Sequence, residues 1–458
     1  MPYHVLKFGG SNLKKKDDIL RIVNVIGKYD SSLVIVVSAF YGVTDILVNA
    51  LEKVKSDESA ITELTDSLLA LKKETLDEVV DDAIIRDEIY EAVKTRVKKL
   101  KRYLQGVNFF GDTPAFVNDT ILSYGERLSA LMLTGILNYY KVDAEEILPE
   151  ELGLLTDGEF GNATVDFDLT GNNVKKAIKG KKIVIVPGFY GVSTEGKTTL
   201  LGRGGSDYSA AAIAKCINAS SLDLFKDVDG FLSGDPRYVD SPQRIEKLSY
   251  MESAELSYFG AKILHPRTVE PLREAGIPIR IFNIATIEDL SHPLTSIQHA
   301  SDVHDDVIKS VTFSDDIGIL KLKGAGIGNK PGILSKVSFA IDHAGINIKS
   351  VITSQTTINI LIEMSHLKKS ADLVKDLELH AVSEIIAEDD ISVIAAVGNG
   401  IMEKVGLAGR IFTAVSLKGI NIEIISVGAS PVAAYFIVKK YDRAATIRAI
   451  HDEYVQES

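Results

Sequence analysis

In the stretch GRGGSDYSAAA, from Gly202 to Ala212, glycines and an arginine stand in front of an aspartate and an alanine-rich run. Glycines strip side chains from a loop, so its backbone N–H groups can face a bound anion. Ser206 and Asp207 suit the N-cap of the helix that the alanines predict. Capping accounts for Asp207 but leaves Arg203 unexplained, and a forked guanidinium is well shaped to hold a carboxylate. A second stretch, VLKFGGSNL from Val5 to Leu13, reads as a strand ending near Lys7, then Gly9 and Gly10, then a helix start at Ser11 or Asn12. Paired glycines before a helix N-terminus let an anion approach closely, and Lys7 would add positive charge beside phosphate oxygens. The order of lysine and glycines is the reverse of a Walker A loop. On this segment alone a tight turn with an exposed lysine explains the pattern equally well.

Three further stretches carry candidate groups. KDVDGFLSGDPR, Lys226 to Arg237, follows the apolar run SLDLF, and loops at strand C-terminal ends are where α/β sheets bind ligands. Asp227, Asp235 and Arg237 could meet a nucleotide there, although acidic turn formers are common. ILSYGERLSALMLTGIL, Ile121 to Leu137, is an apolar helix carrying Glu126 and Arg127. That charged pair marks either a cleft or ordinary surface pairing. YFGAKILHPRTV, Tyr258 to Val269, offers Lys262 and His265. With no ligand spacing for zinc, His265 reads as a helix-end hydrogen-bond partner. The lone Cys216, within AAIAKCINAS, reads as a buried structural thiol on a helix.

The elements that must position these groups are legible as short apolar runs separated by helical stretches. The runs are HVLKF, SLVIVVS, KIVIVPGF, SLDLF and IPIRIF. They predict an α/β fold with a mainly parallel sheet sandwiched by helices. Residues 50–106 are rich in Glu, Lys, Leu and Val, and predict a helical excursion; the basic run KTRVKKLKR within it reads as a solvated helix face. A polar segment from Ile284 to Asp306 marks a boundary, giving a catalytic domain over 1–300. Beyond it, HAGINIKSVITS and LKGINIEIISVGAS repeat Gly-Ile-Asn-Ile at a separation of about 74 residues, too long for a solenoid. Two small α+β modules follow, at 301–390 and 391–458, with interleaving of the two left open.

The composition of the 458-residue chain, 45% hydrophobic and 25% charged with a net charge of -12, is that of a globular protein and argues against a large nucleic-acid-binding face. No apolar run reaches the roughly 18 residues of a membrane span. A single cysteine suits a reducing compartment, so a cytoplasmic location is expected, with neither nucleic acid nor membrane as partner.

In their order, KFGGS, SYGERLSA, GRGGSDYSA, DVDGFLSGDPR and FGAKILHP make the chain resemble the aspartokinases, ATP-dependent enzymes of the amino-acid kinase family. The C-terminal repeat is similar to the paired, ferredoxin-like ACT domains of those enzymes. The resemblance implies transfer of the γ-phosphoryl group of ATP, with Mg2+, to the β-carboxylate of L-aspartate, the first step toward lysine, threonine and methionine. It implies that Lys7 and Asp207 are catalytic, the aspartate serving to organise the site rather than as a base. Lys7, Gly9, Gly10 and Ser11 would hold phosphate, and Lys226, Asp227, Asp235, Arg237 and Lys262 the nucleotide. Thr44, Glu126, Phe189, Arg203 and Ser206 would hold aspartate, with Arg203 on its α-carboxylate and Glu126 on its ammonium group. Ile333, Leu334, Asn347, Ile348 and Gln355 fall where an amino-acid effector would bind, and a homodimer or larger homo-oligomer is expected.

Two departures stand out. Lys226 replaces the usual threonine and Leu232 the usual tyrosine. Lys349 and Gln355 stand where lysine-inhibited members carry acids, so a neutral effector such as threonine, or none, is expected in place of lysine. Another kinase of the family, for glutamate, acetylglutamate or UMP, and a non-catalytic amino-acid sensor are the competing readings.

Overall fold

The computed structural model describes residues 3–260, 263–299 and 307–454. It divides into two units, one drawn from Met1–Phe231, Arg244–Ser257 and Lys262–Ser301, the other from Leu232–Gln243, Tyr258–Ala261 and Asp302–Ser458.

The first unit is built on an eight-stranded sheet. Its order is Glu145–Glu146, Ile183–Pro187, Ser32–Val37, Tyr3–Phe8, Ser221–Lys226, Ile279–Asn283, Thr295–Gln298 and Lys247–Ser249. The first six run parallel, and the chain reverses between Ile279–Asn283 and Thr295–Gln298. Strands covered on both faces read as continuous apolar runs because neither face meets water, and Val34 through Val37 are fully buried. Alternation along Tyr3–Phe8 sends Leu6 and Phe8 into a core shared with the helices Val43–Val54, Ser59–Val79, Ala83–Phe110 and Ala115–Tyr139. Lys7 points to the other face, where the alanine-rich helix Gly205–Ile217 packs. The helices Ser59–Val79 and Ala83–Phe110 occupy most of the stretch 50–106, and Ala115–Tyr139 follows it. Cys216 is buried on the alanine-rich helix, and burial pushes its thiol up to about 11, as suits a structural thiol.

The second unit holds two four-stranded antiparallel sheets. Ile348–Thr353, Thr357–Glu363, Ile317–Lys323 and Glu384–Glu388 form one; Ser310–Ser314, Ile391–Val397, Ala433–Lys439 and Ile424–Val427 form the other. Ser310–Ser314 precedes every strand of the first sheet yet pairs with Ile391–Val397 in the second, so the modules are interleaved along the chain. Each sheet carries a helix that begins after a left-handed glycine, Ile333–His343 after Gly332 and Leu407–Ser416 after Gly406. These are the structural counterparts of the sequence repeat.

Two local expectations need correction. The chain after Gly9 makes a 3-10 turn, Gly10–Asn12, and the α-helix starts at Lys16; the buried Asn12 side chain accepts from the Gly9 N–H at 3.1 Å and keeps the turn tight. The alanine-rich helix is capped by neither Ser206 nor Asp207. Gly204, at φ 71°, is its N-cap, and a Cβ there would lie 2.5 Å from that of His265. Ser206 and Asp207 therefore sit inside the first turn, free to face the site. The stretch KDVDGFLSGDPR also divides: residues through Phe231 belong to the first unit and those from Leu232 to the second.

Within the sheet, Asp223 is fully buried and receives Arg280 Nε at 2.7 Å, Tyr29 Oη at 2.6 Å and Ser221 Oγ at 2.8 Å. Arg280→Ala would leave that carboxylate with hydroxyl donors but no countercharge. A loss of about 3–5 kcal/mol is expected in urea unfolding of the first unit, and a loss within ~0.5 kcal/mol would show the pair to be dispensable.

Candidate active site

The C-terminal ends of two neighbouring parallel strands, Tyr3–Phe8 and Ser221–Lys226, bring two lysines to one carboxylate. Lys7 Nζ lies 2.6 Å from Asp207 Oδ1, and Lys226 Nζ lies 2.8 Å from Asp207 Oδ2. Register places Lys7 opposite Leu224, so the two lysines approach from adjacent strands while Asp207 enters from the helix above. Burial lowers the Lys7 pKa and Asp207 works against that loss. Burial alone would raise the Asp207 pKa, but Lys226 and Lys7 outweigh it and hold the carboxyl well below its usual range. Two lysine side chains on a single carboxylate give the cluster a formal excess of positive charge that suits a phosphate.

Glu126 closes the site from the helix Ala115–Tyr139. It is buried, and among the described residues Oε2 has no hydrogen-bond partner. Burial pushes its pKa up to about 8, against the Ala39 N–H, Lys7 and the Ser206 hydroxyl, which all favour the charged form. Its sequence neighbour Arg127 turns away, pairing with Glu150 at 2.7 Å and stacking 4.3 Å over the Tyr190 ring. The two are thus not a surface pair: Arg127 is structural, and Glu126 faces the lysines.

The turn at Gly9 and Gly10 passes under the segment after the strand Ser32–Val37. A Cβ on Gly10 would lie 2.8 Å from the Ala39 carbonyl oxygen, which explains glycine there. Thr44, half-buried, sits in the first turn of the helix Val43–Val54 that this segment enters. Phe189 adopts φ 75°, in the left-handed region that costs a non-glycine residue strain. Its N–H donates to Ser209 Oγ at 2.9 Å, and its ring lies where a Cβ on Gly205 would come within 2.9 Å. Arg203 is exposed, and among the described residues it makes no hydrogen bond or ion pair.

The other expected residues occupy several elements. Asp227 is exposed at the end of Ser221–Lys226. Asp235 and Arg237 lie in the second unit and bind each other, with Arg237 Nε at 3.0 Å from Asp235 Oδ1. Lys262 lies outside the described residues. His265 is the helix-end partner expected: its Nδ1 accepts from the Arg267 N–H at 3.3 Å as N-cap of Pro266–Ala275. Ile333 and Leu334 open the helix Ile333–His343, Asn347 and Ile348 lead into Ile348–Thr353, and the Gln355 carbonyl accepts from the Gly328 N–H at 2.8 Å.

Two positioning residues escaped the sequence reading. Arg267 donates to the Leu201 and Ala163 carbonyls at 2.9 and 2.8 Å and lies 4.6 Å over Tyr208, bracing the loop that carries Arg203. Asp119, 1% exposed, accepts from the Gly161 and Leu200 N–H groups, each at 2.8 Å. An arginine directly after the His-Pro pair was the available signal for the first; nothing local distinguishes the second.

A raised carboxyl pKa binds a proton that the unfolded chain has released, so the stability it supports is full at acid pH and falls as pH rises from 4.5 through about 8. Glu126→Gln lacks that decline. Its Tm should gain on the wild type as pH is raised across this window; a difference that stays flat would show that Glu126 is ionised throughout.

The model of the amino acid kinase family matches residues 3–283, and that of the ACT domain residues 394–454. The chain is 29% identical to aspartokinase 1 of Arabidopsis thaliana, covering 99% of this chain and 80% of that one. It is 26% identical to the lysine-sensitive aspartokinase 3 of Escherichia coli, covering 98% of each. Against the bifunctional aspartokinase/homoserine dehydrogenase of Buchnera aphidicola it is 28% identical over 98% of its own length but spans only 56% of that relative. The solved structure of E. coli aspartokinase III in complex with aspartate and ADP has the same fold, with a TM-score of 0.82 and 24% identity, covering 99% of this chain and 100% of that one. Covering well over half of the sequence with a site at the strand ends, these matches mean that the chain belongs to the amino acid kinase family.

Proposed function

We propose that the chain is an aspartate kinase, which transfers the γ-phosphoryl group of MgATP to the β-carboxylate of L-aspartate and yields 4-phospho-L-aspartate and ADP. The observation that carries this reading is Glu126, a buried carboxylate with an unpartnered oxygen beside the Lys7–Asp207–Lys226 cluster. Such a group calls for a cation, and the ammonium of an amino-acid substrate supplies one. Arg203, exposed and unpaired among the described residues, is available for the α-carboxylate, with Ser206, Thr44 and Phe189 completing the aspartate subsite. The likeness to aspartokinases over nearly the whole chain supports the same substrate.

The chemistry asks little of a base. A carboxylate of solution pKa about 3.9 is already ionised at neutral pH. One of its oxygens bonds to the γ-phosphorus as the bond to the β,γ-bridging oxygen breaks, and the electron pair leaves with ADP. What the protein must supply is alignment and positive charge for the phosphoryl oxygens. Lys7 and Lys226 provide that charge, the turn Gly9–Ser11 offers N–H groups, and Asp207 keeps the two ammonium groups from repelling each other. Asp227 is proposed to contact the nucleotide. Mg2+ is proposed to enter on the phosphates as part of the substrate, keeping most of its waters. The C-terminal modules are proposed to bind an amino-acid effector and to act within a homo-oligomer. Lys349, whose Nζ lies 4.9 Å over the Tyr258 ring, sets a positive charge at the expected effector region, which disfavours lysine.

A hydroxamate assay with ATP, Mg2+ and aspartate should detect the acyl phosphate; turnover with glutamate but not aspartate would assign the chain to another kinase of the family. Lys7→Ala should lower kcat by about three orders of magnitude, since its charge is needed most in the transition state. The KM for aspartate should rise as pH falls below about 8, where Glu126 takes up a proton. Inhibition by lysine at low micromolar concentration would overturn the effector assignment.

A further inference from the structure

Lys72 breaks the pattern of its helix. On Ser59–Val79 the buried stripe runs through Ile61, Thr65, Leu68, Leu76 and Val79, and Lys72 occupies the place of a leucine within it. Its side chain is fully buried, and among the described residues Nζ has no hydrogen-bond partner. The Phe40 ring lies directly against it, with Nζ 3.4 Å from the ring centroid. Burial with no compensating countercharge lowers its pKa to about 7. A protein that keeps a cation in such a place departs from the apolar patterning that its helix otherwise follows, and departures of that kind concentrate where function is served.

Phe40 belongs to the segment that roofs the proposed site. The residue before it, Ala39, has its N–H on the Glu126 carboxylate and its carbonyl against Gly10. Phe40 N–H itself donates to Ser129 Oγ at 3.0 Å, one turn along the helix from Glu126, and the Phe40 carbonyl accepts from the Val43 N–H that begins the helix carrying Thr44. The front of the segment thus touches the substrate-facing groups, and its back rests on Lys72. Attraction between a desolvated cation and the face of a ring is strong and directional.

We propose that Lys72 is a positioning residue: its ammonium, held against Phe40, seats the Ser38–Gly42 segment over Glu126 and Gly10, so that the aspartate subsite is formed before substrate arrives. The proposal rests on the aspartate-kinase reading for its kinetic consequence, but not for its structural one. A merely tolerated lysine and a positioning lysine differ in what its removal does.

Lys72→Met keeps the length and removes the charge, and is compared with the wild type below pH 7, where the ammonium is retained. It should raise Tm, because an unpaired buried charge is gone, while raising the KM for aspartate about fivefold or more with kcat within about twofold. In the ligand-free protein, amide hydrogen exchange at Ala39 to Thr44 should quicken about tenfold, with the strand Tyr3–Phe8 unchanged. A higher Tm with unaltered KM and unaltered exchange overturns the proposal. Phe40→Leu provides the second arm, and carries the test alone should the first variant fail to fold. It should reproduce the exchange change, and the double variant should add nothing further, since both remove the same contact; additive effects overturn the proposal. The exchange measurement needs no substrate, so a wild type that phosphorylates a different acceptor would refute the substrate assignment while leaving Lys72 to be judged on exchange.

Discussion

Two ammonium groups cannot share a small pocket without an anion between them, and Asp207 is that anion. Each of its oxygens holds one lysine, Lys7 at 2.6 Å and Lys226 at 2.8 Å. Much of the first unit can be understood as meeting this requirement. Parallel pairing sets the two strand ends side by side, the alternation of the first strand turns Lys7 away from the helical core, and a left-handed glycine cap lets the next helix begin early enough to present Asp207 in its first turn. Had Ser206 or Asp207 served as the cap, its side chain would have been spent on the helix's own N–H groups.

Around that charge cluster the site is held by close packing and hydrogen bonds. Gly10 permits the Ala39 carbonyl to come close, Ser209 pins the strained Phe189 backbone, and Arg267 braces the Arg203 loop from beneath. Arg203 itself is left without a partner among the described residues. Rigid supports with uncommitted ends are what substrate recognition requires, because binding then costs little reorganisation.

The parts of this arrangement that were legible in the sequence are those encoded locally. Apolar runs identified the central strands, the repeated Gly-Ile-Asn-Ile located the two C-terminal modules, and glycine-flanked charges singled out Lys7, Glu126, Arg203 and Asp207. What escaped was decided by partners distant in sequence. Ser310–Ser314 pairs with a strand some eighty residues on, whereas consecutive strands are usually neighbours. Lys72 stands beside the exposed Lys73, and its place in the buried stripe shows only when the helix is packed. Lys226 was noticed as a departure from threonine, yet its bond to Asp207 required knowing that the alanine-rich helix lies over both strand ends. The capping error has a local cause: Ser and Asp are stronger cap formers than Gly, and the close approach of His265 to Gly204 overrode that preference.

The short segment Leu232–Gln243 gives the molecule a constructional property. Val239 enters the core of the second unit, Val311 donates its N–H to the Ser233 carbonyl at 2.8 Å, and Ser233 Oγ meets His451 Nε2 at 2.8 Å on the final helix. These residues lie between two stretches of the first unit, so no single cut in the chain separates the two units intact. A recombination joint near residue 300 would deliver the C-terminal modules without the strand partner of Val311 and with an empty place at Val239. The first unit and the C-terminal modules of such a chain are therefore not separable at one joint, and exchanging the modules requires exchanging the inserted segment as well.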